Sequence, residues 1–349
     1  MGLKRLDQSN WLTIDPTYLP EHTLRASLLD TQRPCVLQVL PPAIPATHEL
    51  LELVVEFLLQ RYPTDFTLVL PDFSAADGKP SEPKIFNRLT NETHIIGPTC
   101  AHPLEIAARL CMEDFNILLR DPSEGVDAVW KLQASATLFP AGWKLQERIG
   151  CSMAVLHGPV PGWNEKLGKS VERYFTHLGV RSCMERANLF VQRGGGLFQD
   201  GGEEKVDKDK EGDGEGKLCV KDIYVRRERQ TFMRLERSGA VLFTVRTYME
   251  RLVDMKGEEA GNLARQVRGW GEEVKGYKGV GVWGGVVLGW CDGVGERERV
   301  RVGEEDRERE REEEILRGLS LRRDSGIDMG DEEEREGEGE EEEECKNNN

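Results

Sequence analysis

The chain has 349 residues, 32% of them charged, and a formal net charge of −16 at neutral pH. Residues 303–349 alone hold a net −13, so residues 1–302 carry only about −3. A near-neutral body without a basic stripe or a Lys/Arg–aromatic platform excludes a nucleic-acid binder that works by counterion release. Eight cysteines, with no Cys-x-x-Cys pair and no histidine at finger spacing, exclude a zinc module and point to reduced thiols in a cytosol-like compartment.

The opening MGLKRLDQSNW has no apolar core and is not a secretory signal. Residues 1–45 carry Pro16, Pro20, Pro34, Pro41, Pro42 and Pro45 and are expected to form an irregular arm. His48–Tyr62 is the first expected helix; its run LLELVVEFLL (50–59) is too short to span a bilayer and reads as buried. FTLVLP (66–71) reads as a strand and AADGKPSEPK (75–84) as a surface loop. Pro103–Met112 is expected to be helical, with its proline in the first turn. FNILLR (115–120) and VDAVWKLQASATLF (126–139) flank a DPSEG turn and read as a hairpin.

Trp163, Leu167, Val171, Tyr174, Phe175 and Leu178 recur at three- and four-residue steps, the stripe of an amphipathic helix over 163–178. ANLFVQ (187–192) is a strand. The Gly- and charge-rich segment 193–217 reads as an inserted loop, tolerated because loop-closure entropy grows slowly with length. Strands are expected over 218–232 and 240–250, around a Leu-Glu-Arg-Ser-Gly turn, and a helix over Glu258–Val274. The run GVGVWGGVVLGW (279–290) is again too short to cross a membrane. Hairpin-linked strands among helices define the class as α+β, one antiparallel sheet with helices packed on it. Residues 1–295 read as a single domain and 296–349 as a disordered charged tail. Runs such as DREREREEE (306–314) bury too little apolar area to offset ordering entropy. The tail reads as a solubilising segment or as a binding one.

The six histidines lie at 22, 48, 94, 102, 157 and 177, and no two share the spacing that puts paired metal ligands on one helix face. No nucleophile elbow, phosphate loop or dinucleotide fingerprint occurs. His157 ends the apolar run Met153–Leu156 and precedes Gly158-Pro159-Val160-Pro161-Gly162-Trp163, so it is expected at a strand end, before a rigid turn and a helix start. One imidazole on a stiff support among apolar and aromatic residues suits a haem iron. The plainer reading is a core histidine whose second nitrogen bonds a backbone carbonyl. His177 reads as a half-buried surface residue. Arg186, Arg226, Arg229 and Arg246 lie in or beside strands. In a haem protein one or two of them would pair with the propionates, because a guanidinium matches a carboxylate bidentately; otherwise they form ordinary cross-strand ion pairs. Glu228 and Gln230 alternate with Arg229 and therefore face the other side of their strand.

Five segments carry a resemblance to a known family. WLTIDPTYLPEHTLRASLL, EDFNILLR, FPAGWKLQERIG, LHGPVPGW and RRERQTFMRLERSGAVLFTVRTY follow in order over residues 10–275. Together they resemble the haem-dependent oxidative N-demethylase alpha-subunit-like family. The resemblance implies a PAS-like core binding haem b, with a histidine as iron ligand. His157, inside LHGPVPGW, is the position so implied as metal ligand, with Arg186 and Arg229 as expected cofactor-binding residues. It also implies oxygen-dependent N-demethylation of a small methylated amine, releasing formaldehyde. With no flavin or iron–sulfur motif in the chain, electrons are expected from NAD(P)H through a separate reductase. The alternative is a non-catalytic haem-binding sensor or a protein-interaction module on the same fold, and a third reading is a scaffold without cofactor. The expected location is cytoplasmic, with no membrane span and no nucleic-acid partner.

Overall fold

The computed structural model describes residues 2–71, 81–121, 123, 125, 128–180, 182–201 and 218–294. The acidic tail and parts of the 75–84 and 193–217 loops lie outside the described residues. The chain opens with a two-residue strand, β1 (Lys4–Arg5), followed by α1 (Tyr18–Thr31), α2 (Arg33–Val36), β2 (Leu37–Val39) and α3 (Ile44–Arg61). This corrects the expectation of an irregular arm. Pro20, Pro34 and Pro45 all fall in first helical turns, where a missing N–H has no intrahelical acceptor to lose. Arg25 then pins α1: buried to 1% exposure, it donates to Asp114 Oδ1 at 2.9 Å and to the carbonyls of Ala108, Met112 and Glu113. α3 buries Leu50, Leu51, Val54 and Leu58, each contributing about 1.5–3 kcal/mol.

β3 (Phe66–Val69), β4 (Lys84–Asn87) and β5 (Glu92–Ile95) form a separate three-stranded antiparallel sheet. Of the three, β3 alone has a sequence signal. β4 (KIFN) and β5 (ETHI) are four residues each with no apolar alternation, and Asn91 turns the chain between them at φ 58°.

α4 (Pro103–Leu110) leads into the hairpin β6 (Asp114–Leu119) and β7 (Lys131–Ala136). Next come α5 (Met153–Leu156), a π-helical turn over Trp163–Leu167, and α6 (Gly168–His177). The long strands β8 (Met184–Arg193), β9 (Ile223–Arg234) and β10 (Val241–Arg251) precede α7 (Gly257–Arg268), α8 (Glu272–Tyr277) and a final helix, α9, over 280–294. The main sheet has seven strands in the order β1-β8-β9-β10-β6-β7-β2, every neighbouring pair antiparallel. The α+β class with helices packed on an antiparallel sheet is as expected.

Alternation along the strands divides the sheet into two faces. Phe115, Ile117, Ala134, Ala136 and Leu242 pack against α1, α3 and α4 on one face. Leu118, Trp130, Leu132, Phe232 and Val241 lie beneath Met153, Trp163, Phe175 and Leu178 on the other. A third cluster joins Leu189, Val191, Ile223 and Val225 to α7 and α9.

The C-terminal part departs from expectation once. The helix expected over 258–274 is two helices, broken at Gly269-Trp270-Gly271, where Trp270 turns edge-on to Trp283 with ring centroids 6.4 Å apart. The Gly-rich stretch after Tyr277 is helical in spite of its glycines, which each cost about 0.5–1 kcal/mol against alanine. Burial of Trp283, Val287 and Cys291 at four-residue steps offsets that cost.

Candidate functional site

His157 does not end a strand. Met153 N–H reaches the Trp130 carbonyl at 3.0 Å as part of an isolated bridge, Lys131 to Ser152; the chain then coils into α5 and His157 caps its C-terminus. The run is too short to pair further. The rest of the expected local geometry is present. Gly162 adopts the left-handed conformation at φ 71°, which glycine enters without steric cost, and starts the π-helical turn after the Pro-Val-Pro segment. A Cβ on Gly168 would stand 3.2 Å from the Trp163 carbonyl and 3.3 Å from its indole nitrogen, so that close approach favours glycine.

This framework fixes the imidazole. Both the backbone N–H and Nδ1 of His157 lie 3.1 Å from the Met153 carbonyl. A carbonyl only accepts, so Nδ1 carries the proton and Nε2 presents its lone pair. Nε2 has no hydrogen-bond partner among the described residues. The ring stacks on Trp163 with centroids 4.3 Å apart and planes 13° from parallel. Burial lowers the His157 pKa, and the nearby positive charges of Arg186 and Arg148 lower it further, which keeps the ring neutral.

The sheet face beyond His157 is polar. Arg226, Glu228, Gln230 and Phe232 share one side of β9, and Arg186, Asn188 and Phe190 stand opposite them on β8. A ladder of hydrogen bonds runs along this side. Arg186 Nε donates to Gln230 Oε1 at 2.7 Å, Gln230 Nε2 donates to Glu228 Oε2 at 2.9 Å, and Arg226 Nε donates to Glu228 Oε1 at 3.0 Å. Asn188 adds a 3.3 Å bond to Glu228. Arg226 also donates to the carbonyls of Phe139 and Leu197 and to Thr247 Oγ1. Lys278, just past α8, reaches the free edge of β8, donating to Asn188 Oδ1 at 2.9 Å and the Leu189 carbonyl at 2.8 Å, with its ammonium 3.8 Å from the Phe190 ring centroid. Burial there pushes its pKa down to about 8.

The charge balance is uneven. Arg186, Arg226 and Lys278 are grouped about one buried carboxylate, Glu228, and Arg148 lies with Arg186 near His157. Arg226 takes that carboxylate. Arg186 keeps its terminal nitrogens without a partner among the described residues, and Arg148 engages only the carbonyls of Val155 and Leu156. Two guanidinium groups thus lack a carboxylate beside a neutral histidine.

Arg229 is not brought to this place. It lies on the opposite face of β9, where Nε donates to Glu185 at 2.8 Å and the terminal nitrogens bind the carbonyls of Asn10 and Trp11. Arg246 is buried on that same opposite side, paired with Asp15 and Glu21, each at 2.8 Å. His177 is exposed on α6, its Nδ1 donating to the Arg173 carbonyl at 2.8 Å. The alternation of Glu228 and Gln230 against Arg229 holds, and the fold settles which side carries the polar ladder. Sequence reasoning missed Arg148, Trp163 as the partner of His157, and Lys278. Trp163 had a signal, six residues past His157 in the same segment; Lys278 had none, because its position depends on how α8 crosses the edge of β8.

The fold and site define an α+β domain whose sheet presents a polar, cationic face beside a neutral histidine with a free ring nitrogen. Residues 2–288 match the family described as haem-dependent oxidative N-demethylase, alpha subunit-like, and the chain belongs to that family. No helix among the described residues is long and apolar enough to cross a membrane.

Proposed function

We propose that residues 1–295 act as one domain that binds haem b against the polar sheet face, with His157 Nε2 as iron ligand, and catalyse oxidative N-demethylation of a small methylated amine in the cytoplasm. The observation that carries this reading is the His157 ring in a member of this family: neutral, locked through Nδ1, stacked on Trp163 and free at Nε2. The surrounding donors fit the group. Arg148 and Arg186 supply guanidinium nitrogens for two propionates, and neither forms an ion pair with a carboxylate among the described residues. Arg229 is assigned to tethering the N-terminal segment instead. Strands β7-β6-β10-β9-β8, with α5 and α6 between β7 and β8, support the PAS-like winding expected of such a core.

Bound haem supplies oxygen activation and one-electron chemistry. The chain's own residues hold and orient. The Met153 carbonyl fixes the imidazole tautomer and raises its basicity. Trp163 limits ring rotation. Gln230 holds Arg186 by Nε, so the other guanidinium nitrogens point away from the ladder. The apolar cluster of Phe175, Phe232 and Phe243 keeps water from the sheet beside the site. Electrons reach the protein from NAD(P)H through a separate reductase, and the demethylated amine leaves with formaldehyde.

The test is the visible spectrum of the full chain expressed with haem supply, beside His157→Ala, followed by formaldehyde release from mono-, di- and trimethylated amines with an NADPH-fed reductase. A Soret band lost or shifted in the variant, with turnover in the wild type, is expected. A band unchanged in His157→Ala refutes the ligand assignment. A band without turnover of any amine favours the sensor reading, and no band at all refutes haem binding.

A further inference from the structure

β3 is an outer strand of the three-stranded sheet, and the ladder to β4 shows which of its backbone groups point outward. The Arg88 N–H donates to the Asp65 carbonyl at 2.8 Å, so Asp65 and Arg88 form a bonded pair one step beyond Phe66 and Asn87. Bonded and unbonded pairs alternate along an antiparallel ladder. Thr67 and Val69 therefore bond to β4, while Phe66 and Leu68 turn their backbone groups away from it. The Phe66 N–H is taken by the Tyr62 carbonyl at 3.0 Å. The Leu68 N–H and carbonyl have no partner among the described residues. Every residue from Thr67 to Leu70 is exposed, and Leu70, at 70%, is the most exposed large hydrophobic side chain among the described residues. None of the four is charged.

An uncharged, exposed edge strand is a template for another strand, and folded proteins guard such edges with charge or brevity. The other edges of the two sheets are guarded. β1 is the two-residue Lys4–Arg5, β2 has three residues, β5 carries Glu92, and Lys278 caps the open stretch of β8 at the Leu189 carbonyl. β3 has no such device. Its edge is also self-complementary. Leu68 offers one donor and one acceptor between Thr67 and Val69, with no charge to repel a copy of itself or to select a charged partner. We propose that β3 pairs antiparallel with β3 of a second copy of this chain, about a twofold axis at Leu68, joining two three-stranded sheets into one of six strands. Each Leu68 N–H then donates to the Leu68 carbonyl of the other copy, and Thr67 of each copy lies beside Val69 of the other. The twofold consumes both edges, so the pairing closes at two. An edge this short buries less than the roughly 1,200 Å² of a standard interface, which makes the dimer a concentration-dependent one. This surface does not rest on the haem reading and goes beyond it.

Sedimentation velocity of the full chain, as purified, over about 1–100 μM tests the pairing, and a monomer–dimer equilibrium is expected. Leu68→Pro removes the outward N–H and spares the bonds of Thr67 and Val69 to β4, since an edge strand accepts proline where its nitrogen faces solvent. Leu70→Lys places a charge at the edge on a side chain that is already exposed, and carries the test independently of any effect of proline on the strand. Each variant weakens dimerisation about ten-fold or more. Unchanged far-UV circular dichroism verifies that both are folded. Val282→Lys, at an exposed apolar position on α9, dimerises like the wild type. His157→Ala does so too, which separates failure here from failure of the haem assignment. The proposal is overturned if the wild type stays monomeric at the highest concentration, or if Leu68→Pro and Leu70→Lys dimerise as it does. It is also overturned if Val282→Lys disrupts the dimer equally, or if assembly continues past two copies.

Discussion

Replacing Arg226 by leucine tests whether the polar ladder is held by its buried ion pair. Arg226 is 1% exposed and Glu228 6%. Their 3.0 Å contact is reinforced by the bonds from Arg226 to Phe139, Leu197 and Thr247. The substitution strands the Glu228 carboxylate inside the protein with only the amide donors of Gln230 and Asn188, and leaves two backbone carbonyls short of a donor. Breaking a buried pair in this way costs about 3–5 kcal/mol. With a urea m-value of about 3 kcal/mol/M, the unfolding midpoint should fall by about 1–1.7 M. Glu228→Leu leaves Arg226 three other acceptors and should cost less, about 3 kcal/mol. The double variant removes the stranded charge, so it should be no less stable than Arg226→Leu alone, a coupling of about 3 kcal/mol or more. Urea titration followed by tryptophan fluorescence measures all four proteins. A midpoint shift below about 0.3 M for Arg226→Leu, or single effects that simply add, would refute the account of the ladder as one mutually dependent network.

Trp163→Ala should lower stability by about 3–5 kcal/mol, and Trp163→Phe by much less; if the alanine variant unfolds at the wild-type midpoint, the stack on His157 is not structural. In haem titrations followed at the Soret band, Arg186→Gln should weaken uptake roughly ten-fold without moving the band, as loss of one charge-assisted contact predicts. Arg229→Gln should leave uptake unchanged and speed proteolysis within the first dozen residues, and equal effects of the two variants would contradict their placement on opposite faces. His22, His94 and His157 all have pKa values lowered from the ordinary 6.5, chiefly by burial. The unfolded chain therefore binds more protons below that value, and stability should fall as pH drops from 7 toward 5. His22→Gln/His94→Gln should flatten that slope, and a wild-type midpoint constant over this range would show that these rings are not held neutral.

Much of the architecture is legible in the chain's own periodicity. The stripe from Trp163 to Leu178 and the apolar run of α3 each bury one side, and that one-sidedness leaves a period in the sequence, while β6 and the first half of β10, packed on both faces, read as apolar runs. The expected strand over 187–192 falls within β8, and those expected over 240–250 and 218–232 overlap β10 from Val241 and β9 from Ile223. Local propensity on its own misleads. The six prolines before His48 suggest irregularity, yet five of them sit in the first turns of α or 3-10 helices, where they are tolerated, and Arg25 secures α1 through partners more than 80 positions away. The Gly-rich end reads as unfavourable to a helix, yet a hydrophobic surface on β8 and β9 makes it one.

The site divides in the same way. His157 is visible because its turn is written locally, in two nearby prolines, a glycine and a tryptophan. The chain alone also determines that Glu228 and Gln230 oppose Arg229, since adjacent strand residues must point apart. Which side meets His157 is decided by strand order and by the packing of α5 and α6 on that face. Tertiary structure alone separates Arg186 from Arg229, brings Arg148 and Lys278 to the same group, and leaves two guanidinium ions without carboxylates. Hydrogen bonds between strands and across loops carry no mark in either partner's own neighbourhood. A side chain's class can be read from its sequence context; its counter-charge is chosen by the fold.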